Sequence, residues 1–212
     1  MTRSPGDWEA WLDQRLDAIR DEGRWRRFRA FDAWGPHGTL DGQPGPVTSF
    51  ASNDYLGLTI HPEVIAAAHA ALDRWGSGSG GARLITGARP VHDELERELA
   101  AWKGTDRAVL FPTGFAANLG TLTALGAAGV RIVSDSRNHA SIIDGTRLAR
   151  ADVTIWRHGE LDELESLVAD SDAPTLVVAD TVFSMDGDVL DVAAVADICR
   201  RHAAVLVLDE AH

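Results

Sequence analysis

Lysine and cysteine are almost missing from this sequence of 212 residues: Lys103 is the only lysine among 20 basic side chains, and Cys199 is the only cysteine. A single thiol excludes an intrachain disulfide framework and any zinc site built from several cysteines, and it leaves Cys199 to pack as a small apolar residue. Long apolar runs are absent too. Nowhere does the sequence approach the roughly 18 uninterrupted apolar residues of a membrane helix, and the opening MTRSPGDWEAWLDQRL offers no apolar core for a secretion signal. The expectation is a soluble, cytoplasmic protein. Positive charge is scarce: 20 Lys plus Arg face 32 Asp plus Glu, and the formal net charge of -12 disfavours broad nucleic-acid binding. Disorder is disfavoured as well, because 45% of the residues are hydrophobic.

What is present begins with Trp8, Trp11, Leu12, Leu16 and Ile19 at helical spacing, with Asp7 as N-cap and Gly23 as stop. Arg24, Arg26, Arg27 and Arg29 follow, interleaved with Trp25 and Phe28. Such a run reads as a solvated face, with the grip of an anionic ligand as the second reading. Residues 35–46 are rich in Gly and Pro and predict a loop leading into a short strand at 47–50. Pro62 opens a helix with Val64, Ile65, Ala68, Leu72 and Trp75 on one side, and Gly76 ends it. Val91, Leu95, Leu99 and Trp102 mark another, with Lys103 at its polar end.

From residue 108 onward the pattern sets the fold class. Short β-rich runs at 108–111, 130–134, 153–156, 175–179 and 205–208 alternate with helical stretches centred on 119–125, 142–148, 161–168 and 192–199. Strand and helix in strict alternation imply an α/β fold with a mostly parallel sheet flanked by helices. The run VLVLD is apolar on both faces and reads as a central strand.

Two motifs suggest nucleotide chemistry and fail on context. Gly76, Gly78 and Gly81 fit G-x-G-x-x-G, but a dinucleotide fingerprint follows a strand and opens a helix, whereas this one follows a helix. These glycines read instead as places where the backbone passes close to another surface or a ligand. The terminal VLVLDEAH looks like a Walker B strand, yet no G-x-x-x-x-G-K-[ST] precedes it, and Lys103 in AAWKGTD cannot serve. What remains is chemistry at strand ends. Asp209 closes a strand, where ligands of open α/β sheets bind, and could hold a positive charge. FPTGFAANL places a small turn before a helix, whose free N–H groups and dipole suit a phosphate. His139 follows the run at 130–134, and Ser184 follows the run at 175–179.

In this order and spacing, SNDYLGL, GSGGARLITG, VHDELERELAAW, TGFAAN, NHASIIDG, VFSMDGD and LDEAH resemble the α-oxoamine synthase group of fold-type-I pyridoxal-phosphate enzymes. The resemblance implies the large domain of that fold at residues 46–212, incomplete at its C-terminal side, preceded by an N-terminal helix and connecting loop at 1–45. It implies pyridoxal 5′-phosphate as cofactor and no metal. Backbone N–H groups of Gly114 and Phe115 would hold the phosphate. His139 would stack on the pyridine ring beside the substrate, Ser184 and His212 would bond the phenolic oxygen, and Asp209 would pair with the ring nitrogen and keep it protonated. Asn53 and Arg26 would meet the amino-acid substrate, with Arg27 one residue away as the other candidate.

The implied reaction is a decarboxylating condensation of an amino acid with an acyl-CoA or acyl-carrier thioester, in a homodimer. GSGGARLITG leans toward the branch of the group that makes a biotin precursor from L-alanine and a pimeloyl thioester. Glycine C-acetyltransferase, 5-aminolevulinate synthase and serine palmitoyltransferase share most of these motifs. The group's Schiff-base lysine lies beyond the DEAH segment, so the resemblance also implies the N-terminal part of a longer enzyme, inactive as it stands. The remaining alternative is a non-catalytic protein that binds the cofactor or a partner.

Overall fold

Helical spacing at the N-terminus is realised as α1 (Gly6–Asp21) in the computed structural model, which describes residues 6–212 and side chains from Trp8 onward. The side chain of Asp7, the expected N-cap, lies outside the described residues. The chain divides into two units, Met1–Ala88 and Arg89–His212.

In the first unit, β1 (Phe31–Trp34), β2 (His37–Leu40) and β3 (Pro46–Thr48) form a three-stranded antiparallel sheet in that order. The loop expected at 35–46 is therefore partly a strand. Trp34 pairs with His37 across a two-residue Gly35-Pro36 turn, and Gly35 takes the left-handed φ of 61° that such a turn requires. The strand expected at 47–50 is the shorter β3. Arg29 anchors this sheet, donating from Nε and Nη2 to the Asp41 carbonyl at 2.9 and 2.7 Å. Beyond it, α2 (Pro62–Trp75) starts at Pro62 and stops at Gly76, as the spacing predicts.

The GSGGARLITG segment ends in a π-helical turn, Arg83–Gly87, in which Gly87 N–H donates to the Ala82 carbonyl at 2.9 Å. A Cβ on Gly87 would lie 1.8 Å from the Gly81 carbonyl oxygen. Gly81 and Gly87 thus serve a close approach of the segment to itself, a Cβ on Gly81 meeting Thr86 Oγ1 at 2.7 Å. Gly87→Ala is expected to cost about 1–3 kcal/mol through forced backbone displacement. Hydrogen exchange at the Gly87 amide tests this; wild-type protection in the variant would contradict the close approach.

The second unit holds α3 (Pro90–Lys103), α4 (Gly114–Leu125), β4 (Arg131–Asp135), α5 (Ala140–Leu148), β5 (Asp152–Trp156), α6 (Leu161–Ala169), β6 (Thr175–Asp180), α7 (Val192–Arg201) and β7 (Val205–Asp209). The last four strands form a parallel sheet in the order β5-β4-β6-β7. Alternation along the strands divides the core. Val133, Trp156, Val177 and Ala179 pack with Leu164 and Val168 of α6 and Val195, Ile198 and Cys199 of α7. Ile132, Leu176 and Val178 face the other way, onto Leu122 of α4 and Ile142 of α5. Because β6 contributes to both faces, all six of its residues are buried, as a central strand of a three-layer fold requires. Cys199 is in this core, and burial raises its thiol pKa.

One expectation is corrected. Residues 108–111 form no strand: their backbone finds a side chain instead, with Leu110 N–H donating to Glu96 Oε1 at 2.8 Å. The expectation that β7 is a central strand is met on one side among the described residues. Its only neighbour there is β6, and Val205 remains 57% exposed.

Candidate active site

Strand order decides where a ligand belongs. β5 and β6 lie on opposite sides of β4, so the direction of winding reverses there and a crevice opens beyond the carboxyl ends of β4 and β6. The segment leaving β4 carries Asn138 and His139, and the one leaving β6 carries Ser184.

Asn138 closes the floor of this crevice. Its Nδ2 donates to Ser134 Oγ and to the Val178 carbonyl, each at 2.9 Å, and its Oδ1 accepts from Asp180 N–H at 3.0 Å. The side chain extends the β4–β6 ladder past its last register pair, Ser134 with Val178. Asp180, buried at the end of β6, accepts His139 N–H at 2.7 Å. Burial raises the pKa of its carboxyl, the His139 amide opposes that rise, and the charges of Asp209 and Asp135 add to it.

Asp180 therefore binds its proton more tightly folded than unfolded. The associated stability is present at low pH and is lost as the pH rises through the raised folded pKa. Asp180→Asn, which keeps an acceptor for the His139 amide, is expected to gain in Tm relative to wild type as the pH rises above the ordinary carboxylate value of 3.8. Parallel melting curves across that range would count against a carboxyl strained by burial.

His139 caps α5: its Nδ1 accepts Ser141 N–H at 3.2 Å and lies 2.7 Å from Ser141 Oγ. Asn118 of α4 donates from Nδ2 to the same Oγ at 2.9 Å and to Asp209 Oδ2 at 2.7 Å. Asp209 Oδ1 accepts Ala211 N–H at 2.9 Å. One amide thus ties the carboxylate at the end of β7 to the imidazole at the start of α5.

At the start of α4, Thr113 caps the helix, accepting Ala116 N–H with Oγ1 and Ala117 N–H with its carbonyl, each at 3.0 Å. The N–H groups of Gly114 and Phe115 have no acceptor within the helix. The first turn carries no acidic residue, and a Cβ on Gly114 would meet no atom within 4 Å. This end has both the donors and the room for an anion. Asn118 lies one turn along the same face as Gly114, so one helix presents the anion site and orients Asp209.

Ser184 is exposed and lines one cleft with His139, Asp180 and Phe183. Its loop is pinned on the far side. Arg137 Nη1 donates to Asp186 Oδ2 at 3.1 Å and to Asp188 Oδ2 at 2.5 Å. His158 sits between the buried Asp135, 3.1 Å from Nδ1, and Asp188, 3.3 Å from Nε2, with Phe183 edge-on at 4.3 Å.

His212 is exposed three residues past Asp209. Lys103 is paired with Glu210. Arg26, Arg27 and Asn53 belong to the first unit. Arg24 pairs with Glu22 and Arg29 holds the Asp41 carbonyl, while Arg26 and Arg27 are exposed. Asn53 Oδ1 accepts from Tyr55 Oη at 3.4 Å. Four residues of the network were not singled out by sequence. Asn118, Asn138 and Ser141 stand inside quoted motifs, and Asp180 is the lone acid ending a buried run.

A family profile described as aminotransferase class I and II matches residues 45–212. The 8-amino-7-oxononanoate synthase of Burkholderia thailandensis is 48% identical over 209 residues, covering 96% of this chain and 52% of that protein. Serine palmitoyltransferase of Sphingomonas wittichii superposes with a TM-score of 0.86 at 29% identity, covering 99% of this chain and 53% of that one. A serine palmitoyltransferase variant from S. paucimobilis, solved with a bound PLP–myriocin aldimine, gives 0.86 at 29%, covering 98% and 55%. The chain spans about half the length of the curated relatives it matches.

Proposed function

The chain belongs to the aminotransferase class I and II family, and from that premise we propose that the protein is an α-oxoamine synthase using pyridoxal 5′-phosphate: an acyltransferase that condenses an amino acid with an acyl thioester and releases carbon dioxide. The substrates assigned are L-alanine and a pimeloyl thioester, giving 8-amino-7-oxononanoate for biotin in a cytoplasmic homodimer. One observation carries the reading. The open N-terminus of α4 and the Asp209 carboxylate are organised by a single helix, with His139 bonded into the same network.

These residues fit the cofactor by their chemistry. The Gly114 and Phe115 amides would hold its phosphate, and Asp209 would keep a proton at the ring nitrogen. His139 would lie against the ring, and Ser184 and His212 would donate to the phenolic oxygen. The bound cofactor supplies an electron sink that stabilises negative charge at the amino acid's α-carbon. Asn53 and Arg26 are assigned to the amino acid. Lys103, paired with Glu210, has no covalent role in this reading. The activity belongs to a whole synthase, which in the curated relatives is about twice the length of this chain.

Titration of this chain with pyridoxal 5′-phosphate, followed by turnover assays of the whole synthase with L-alanine, glycine and L-serine against several acyl thioesters, tests the proposal. Saturable cofactor binding with turnover of L-alanine is expected. Turnover of glycine or serine instead would move the assignment to one of the sister synthases, and absence of cofactor binding would end it.

A further inference from the structure

We propose that Asn118 and Ser141 are positioning residues that carry a polarised hydrogen-bond bridge from Asp209 to His139 and hold the imidazole in its Nε2–H tautomer. The proposal deepens the reading above and rests on it for its link to the cofactor, but the bridge itself is built from this chain alone.

Polarity follows from the groups. Of the two partners of the Asn118 side chain, the Asp209 carboxylate only accepts, so the amide must turn its NH2 toward it. The second proton of that NH2 goes to Ser141 Oγ at 2.9 Å. Having accepted there, the buried Ser141 hydroxyl has one proton left, and His139 Nδ1 stands 2.7 Å away. The Ser141 backbone N–H converges on the same nitrogen. With two donors aimed at Nδ1, the neutral ring carries its proton on Nε2.

Packing holds the bridge in register. Asn118 and Leu122 lie one turn apart on α4, and Ser141 and Gly145 one turn apart on α5. A Cβ on Gly145 would come within 2.9 Å of Leu122 Cδ1 and 3.3 Å of the Asn118 carbonyl oxygen. Absence of that methyl lets the two helices approach closely enough for a serine to reach an asparagine across them.

The test reads the histidine directly. In protein labelled with 15N at histidine, without cofactor and with His139→Gln used for assignment, Nδ1 of His139 is expected to show the shift of an unprotonated acceptor. Asn118→Asp reverses the bridge: the new carboxyl shares one proton with Asp209, which Asn118 Nδ2 approaches to 2.7 Å, and keeps only acceptor lone pairs for Ser141, so the hydroxyl donates to it and accepts from Nδ1–H, and the tautomer inverts. Ser141→Ala is expected to leave a mixture of the two forms. A wild-type ring protonated on Nδ1, or the wild-type tautomer retained in folded Asn118→Asp and Ser141→Ala proteins, overturns the proposal. Separately, Asn118→Ala is expected to weaken binding of pyridoxal 5′-phosphate about tenfold, the loss of one bond to a charged group. Unaltered affinity would break the link from bridge to cofactor. A wild-type protein that ignores the cofactor while showing the expected tautomer would leave the bridge standing and remove the functional reading.

Discussion

Asp209→Ala in the whole synthase is expected to lower kcat by about 10²–10³-fold, the loss ordinarily seen when one preorganised polar partner of the reacting system is removed. The carboxylate is an acceptor built into place, with Asn118 on one oxygen and the Ala211 amide on the other. Under the proposed function it is the group that keeps a proton on the cofactor's ring nitrogen, and with that proton goes the capacity of the ring to take up negative charge. Asp209→Asn separates charge from shape. It preserves volume and an oxygen for Ala211, so a loss close to that of the alanine variant assigns the effect to charge. Near-normal turnover in either variant would remove Asp209 from the mechanism. Because the side chain is only part-buried, neither change opens a core cavity, and melting temperatures no lower than wild type are the control. Removal of the charge also relieves Asp180, whose carboxyl pKa is raised in part by it.

Periodicity carried the second unit. From β4 to β7 each strand and each intervening helix lies within a few residues of its place in the sequence pattern, because both faces of the sheet are covered and apolar residues must alternate with the helices that cover them. The same rule failed at its margins. Residues 108–111 have the composition of a strand, but composition supplies no pairing partner: Val109 is exposed, and Glu96 takes up the Leu110 amide. In the first unit, β2 was hidden by a turn written in Gly and Pro, whose punctuation outweighs four residues of strand.

The candidate site divides along similar lines. Residues whose type announces chemistry, His139 and Asp209, were legible at strand ends. Those that hold them were not: besides local bonds such as Ser141 to His139, Asn118, Asn138, Ser141 and Asp180 each bond a partner 23 to 91 residues away in sequence, and no local pattern encodes such a pairing. The strand reversal between β5 and β6 about β4 is likewise a property of the sheet and not of any segment.

Trp156→Ala is expected to produce the largest loss of stability of any single substitution considered, about 3–5 kcal/mol. The indole ends β5, an edge of the described sheet, yet it is wholly buried and packs with Val133, Leu164, Val168 and Phe183. Through Phe183 this core reaches the active-site side. Phe183 meets the ring of His158, and Ser184 is the next residue along. The cavity left by alanine should therefore loosen the Ser184 loop as well as the fold, lowering Tm by roughly 10 °C, given about 2–4 °C per kcal/mol for a chain of this size. Trp156→Phe makes a sharper test. The indole Nε1 is buried and finds no acceptor among the described residues, a state that costs about 1–3 kcal/mol. Phenylalanine removes that unpaired donor while forfeiting part of the ring, and the two changes oppose one another. The expected result is a variant within about 1.5 kcal/mol of wild type. If phenylalanine were as damaging as alanine, the indole N–H would have to be bonded in solution, and the unpaired donor would not be a feature of the native core.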